Sequence, residues 1–104
     1  MSWMPISKDE LENEITFQCK EMSDDELAYF NKIRVMLELV KIERCGNTET
    51  VFVVAKAGAA IIFYEDIEEG FEITELNEQG AISSYGANQF TLQQVINQLR
   101  ASAS

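Results

Sequence analysis

The chain has 104 residues, 46% of them apolar, and carries 18 Asp and Glu against 8 Lys and Arg, for a net charge of −10 with no histidine. That length and apolar content suffice for a single domain over 1–104 that buries a core without disulfides. The charge opposes contact with nucleic-acid phosphates and anionic membranes, and the missing histidine removes Ser-His and Cys-His nucleophile pairs.

Three helix starts are written as capping boxes, in which Ser or Thr is followed three positions later by Glu or Gln: Ser7 with Glu10, Ser23 with Glu26, and Thr91 with Gln94. Each is flanked by an apolar pair spaced as a hydrophobic staple: Ile6 with Leu11, Met22 with Leu27, and Phe90 with Val95. After the first start two readings stay open. Leu11, Ile15 and Cys19 fit a helix, whereas Ile15, Phe17 and Cys19 alternate as a strand would. The second start predicts a helix from Asp24 to about Lys32, with Asp24, Asp25 and Glu26 in the first turn, where the dipole favours negative charge.

Between Val35 and Tyr85 the pattern changes to short β-rich runs separated by turn residues. Strands are predicted over Val35–Arg44, Thr50–Ala55, Ala59–Tyr64, Phe71–Leu76 and Ala81–Tyr85, with turns at Gly46-Asn47, Lys56-Ala57-Gly58 and Asn77-Glu78-Gln79-Gly80. The nearly unbroken apolar runs Val51–Val54 and Ala59–Phe63 suggest central strands or a second buried face. Leu92, Val95, Ile96 and Leu99 then define a C-terminal amphipathic helix to about Arg100. The expected fold is α+β: two N-terminal helices, a five-stranded antiparallel meander, and the last helix packed on the sheet.

From Ala57 to Leu99 the chain carries Glu65, Asp66, Glu68, Glu69, Glu72, Glu75 and Glu78 and neither Lys nor Arg. Neighbouring sequence cannot cancel that potential, so its complement is a basic surface on another molecule. The turn Tyr64–Phe71 has two readings. It is a solvated connection in which Ile67 anchors the loop and Gly70 permits the bend, or it is a binding surface. In the second reading Tyr64 and Phe71 supply aromatic anchors beside Glu65, Asp66, Glu68, Glu69 and Glu72.

Other chemistry lacks its parts. Cys19 and Cys45 have no CxxC spacing, and a zinc site needs about four N/S ligands, so no zinc is expected. Glu65–Gly70 lacks the EF-hand spacing, and paired carboxylates would need a cleft that so small a domain rarely provides. A binding protein without cofactor is expected, not an enzyme. Two reduced cysteines, no signal-like N-terminus and no apolar run near ~20 residues point to the cytoplasm. Trp3 either docks the N-terminus or is an exposed contact. Gln89, Gln93, Gln94 and Gln98 give the last helix a neutral face suited to a homodimer contact.

The stretch Phe63–Ile73, with its acidic-aromatic turn and Glu69-Gly70-Phe71-Glu72-Ile73 strand, followed by Asn77–Gly80 and the helix from Thr91, resembles the C-terminal half of small acidic immunity proteins of bacterial contact-dependent inhibition and polymorphic-toxin systems. The resemblance covers about residues 60–100. It implies a protein that binds one cognate toxin domain, often a basic nuclease, and occludes its active site. A different class, the type III secretion chaperone, is also small, acidic, cytoplasmic and α+β, and it dimerises.

Overall fold

The computed structural model describes residues 6–44, 46–65, 69–82 and 90–103. The fold is α+β, with three helices and a four-stranded antiparallel sheet: α1 (Lys8–Cys19), α2 (Asp24–Ile33), β1 (Arg34–Arg44), β2 (Asn47–Ala57), β3 (Ala60–Glu65), β4 (Gly70–Glu75) and α3 (Leu92–Ala103).

All three capping boxes form. Ser7 Oγ accepts from the Glu10 amide at 3.1 Å while Glu10 Oε1 accepts from the Ser7 amide at 3.1 Å. The same exchange links Ser23 with Glu26 and Thr91 with Gln94. Two otherwise orphaned amides are satisfied at each start, and Ile6, Met22 and Phe90, one position before each cap, pack against the core.

The first segment is a helix, which settles its two readings. Leu11 and Ile15 are buried and Cys19 packs beside them, while Phe17 is 62% exposed. A strand would have put Phe17 on the face of Ile15. At the end of α2 the chain turns extended at Arg34, whose guanidinium lies 4.9 Å above the Phe30 ring.

The strands follow chain order, β1-β2-β3-β4. Gly58, at φ +65°, supplies the left-handed residue in the two-residue connection inside the Ala57↔Ala60 pair. Helices cover one face, where Leu11, Ile15, Phe30, Leu92, Val95 and Ile96 meet Val54, Ile62, Tyr64 and Phe71. The other face has its own core of Ile42, Val51, Val53, Ile61, Phe63 and Ile82. The central strands are therefore buried on both sides, as their apolar runs suggested. A bulge in β2 places consecutive Val54 and Ala55 toward the helices.

The fifth strand is a correction. Asn77–Gly80 turns as expected, with Asn77 Oδ1 accepting from the Gln79 and Ala81 amides at 3.0 Å each and Gly80 at φ +75°. Ile82, however, does not extend the meander beside β4. It pairs in parallel with Ile42 on the far edge, donating to the Lys41 carbonyl at 2.8 Å and accepting from the Glu43 amide at 3.1 Å. Residues 83–85 of the expected strand lie outside the described residues. At this edge Ile82 is fully buried within the second core, beside Ile42. Phe90 takes the β4 edge instead, its carbonyl accepting from the Phe71 amide at 2.9 Å.

Candidate functional site

The acidic run sits on the β3–β4 hairpin, where Tyr64 pairs with Phe71 and Glu65 with Gly70. Strand alternation divides its residues. Tyr64 and Phe71 project under the helices, ring centroids 5.2 Å apart in an edge-to-face contact, and belong to the core. Glu65 and Glu72 are 1% and 3% exposed. Glu72 pairs with Phe63 of the second core, and Glu65 follows Phe63 on the same face. Glu69 is exposed, and it, rather than Gly70, takes the left-handed conformation, at φ 56°. Asp66 and Glu68 lie outside the described residues, as do Trp3 and Cys45.

The aromatic anchors are thus corrected: Tyr64 and Phe71 are core residues because Ile62 and Ile73 share their face. Glu65 and Glu72 are likewise removed from any open patch by burial. Of the seven expected site residues, Glu69 is the one the structure describes at the surface.

Exposed negative charge gathers elsewhere, on α1, α2 and their connection. Asp9, Glu10, Glu12, Glu21, Asp24 and Asp25 are exposed there and Glu14 is half-buried, against the exposed lysines Lys8, Lys20 and Lys32. Glu26 belongs to the same stretch but is committed to structure. Its carboxylate accepts from the Ser23 amide and from Gln93 Nε2, both at 2.8 Å, and from Asn97 Nδ2. The Ser23 amide, then Asn97 and Gln93, hold its pKa down to about 2.

Sequence reasoning missed the groove between the C-terminal half of α1 and the start of α3. It holds about 250 Å³ and is lined by Glu14, Phe17, Gln18, Glu21, Thr91 and Gln93. Gln18 braces it from both sides: Nε2 donates to Glu14 Oε2 at 2.7 Å and Oε1 accepts from the Leu92 amide at 2.7 Å. Gln93 Nε2 also reaches the Glu21 carbonyl, at 3.4 Å. The available signal was an aromatic off the apolar stripe of its helix, three residues after one glutamate and four before another. Gln93 and Gln94 are engaged at Glu26 and the Thr91 cap, so the expected glutamine face of α3 is not a uniform free surface.

A second cavity, of about 350 Å³, lies where β1 advances from Arg34 to Glu38 while β2 moves only from Ala55 to Val53. Glu12, Ile15, Arg34, Val35, Leu37 and Val54 line it, together with Met36, which is 84% exposed.

Among the described residues no cluster of three or more His, Cys, Asp or Glu is arranged to hold a metal ion, and no helix is long and apolar enough to cross a membrane. Comparison of the chain with known protein families, curated proteins and solved structures finds no match.

Proposed function

We propose that this chain is a binding protein that neutralises a basic protein partner, in the manner of an immunity protein masking the active site of a cationic toxin such as a nuclease. One observation carries the reading: the six exposed carboxylates of α1, α2 and their connection, twice as many as the three lysines among them, in a chain of net charge −10. Such a surface raises the encounter rate with a basic partner and disfavours acidic ones. No covalent chemistry is required, and the proposed place of action is the cytoplasm of the producing cell.

Within the β3–β4 hairpin the proposed contacts narrow to Asp66, Glu68 and Glu69. Reversing Glu68 and Glu69 to lysine is expected to slow association with the toxin domain and abolish protection, while the melting temperature stays near that of the parent. Unchanged association would remove this loop from the contact surface and leave the helical carboxylates as the steering charge.

A chaperone for a secreted effector is favoured by a different feature. Met36 is 84% and Leu39 58% exposed on edge strand β1, which suits an apolar segment laid along the sheet. A stable homodimer in light scattering would support that reading, and a monomer that inhibits a basic enzyme would support the first.

A further inference from the structure

We infer that the groove between α1 and α3 receives an arginine side chain of a basic protein partner. The inference rests on the reading of the chain as a binder of basic proteins and names a surface for it.

The Phe17 ring lines the groove and is 62% exposed although it sits in a helix with an apolar stripe to join. An aromatic face open to solvent beside a concavity is accessible to a stacking cation. Glu14 and Glu21 flank it one turn to either side, and none of the six lining residues is basic. The groove occupies the C-terminal half of α1, the negative end of the helix dipole, where the last turn has no basic residue and Lys20 is the C-cap. At the opposing start of α3 Gln18 takes the Leu92 amide and Thr91 the Gln94 amide.

An apolar ring between two carboxylates suits a planar, weakly hydrated cation that stacks and donates hydrogen bonds at its edges. Arginine has that form, whereas the lysine ammonium is compact and strongly hydrated. Gln18 keeps Glu14 in place for the contact, which lowers the ordering cost of binding.

The test is an NMR titration of the full chain with acetylated, amidated tri-arginine, and with tri-lysine and tri-citrulline peptides of the same form. Tri-arginine is expected to give saturable amide shifts centred on residues 14–21 and 91–94. Tri-lysine should bind about 2–5-fold more weakly and tri-citrulline without saturation. Phe17→Ala should weaken tri-arginine by about 2–5-fold and remove its advantage over tri-lysine, while Phe17→Tyr keeps both. The double variant Glu14→Gln/Glu21→Gln should weaken binding at least as much. Shifts centred elsewhere, or affinities unchanged in these variants while their melting temperatures match the parent, overturn the inference. Peptide binding is scored without any toxin, so the groove can fail while toxin neutralisation stands, and the reverse.

Discussion

Replacing Phe71 with alanine is expected to remove about 3–5 kcal/mol of folding stability. A domain of this length has about 5–15 kcal/mol in total, so the variant loses between about a fifth and all of its stability. Phe71 is fully buried, meets Tyr64 edge to face, and lies among the helix-side core residues. Truncation deletes the aromatic contact and leaves a cavity that the strand, held by β3 on one side and by Phe90 on the other, cannot collapse to fill. Phe17→Ala is the control. Its ring is mostly in water, and alanine is the better helix former, so stability should move by no more than about 0.5 kcal/mol. Urea unfolding of both variants separates the aromatic that builds the fold from the aromatic available to a partner. Similar losses in the two would contradict that assignment.

The second large effect belongs to Glu26. Its carboxyl titrates near 2 in the folded chain against an ordinary value of 4.5, so the unfolded chain takes up a proton over a range where the folded one does not. Its contribution is complete above about pH 4.5 and is lost as pH falls to about 2. Glu10, whose carboxyl is lowered by the Ser7 amide and hydroxyl, acts in the same direction. Protonation of the many surface carboxylates relieves repulsion in a chain of net charge −10 and opposes both. The wild-type profile alone is therefore ambiguous. The difference between wild type and Glu26→Gln isolates the group: it should be largest near neutrality and shrink toward pH 2. Glu26→Ala should destabilise more than Glu26→Gln, because it leaves Gln93 and Asn97 without the acceptor that ties α2 to α3. A difference independent of pH would contradict this account of Glu26.

The helix starts were legible because a capping box is local: both partners lie within four residues, and the backbone geometry that satisfies them is that of a helix start. The sheet was legible where alternation or its absence reports burial, as in Val51–Val54 and Ile61–Phe63. What misled was nonlocal. Ala81-Ile82 has β-forming character, but its partner is Ile42, far back in the chain and on the opposite edge, and no short-range pattern specifies that crossing. Tyr64, Glu65, Phe71 and Glu72 were misplaced in the candidate site for a related reason. Glu65–Glu72 reads as one charged stretch, yet strand periodicity assigns Tyr64 and Phe71 to one core and sets Glu65 and Glu72 on the face of the other. Exposed charge sits instead in the helical N-terminal third, where interspersed Lys8 and Lys20 made it less conspicuous than a run without cations.

The most direct test of the central proposal is to screen the purified chain against basic proteins encoded by its neighbouring genes and to follow association with any that binds by stopped flow as salt rises from about 0.05 M to about 0.5 M. The predicted result is a one-to-one complex that inhibits the toxin and whose association slows by about tenfold or more across that range, with dissociation changing far less. Absence of a complex, or an association rate indifferent to salt, would contradict the proposal that exposed carboxylates draw this protein to a cationic partner.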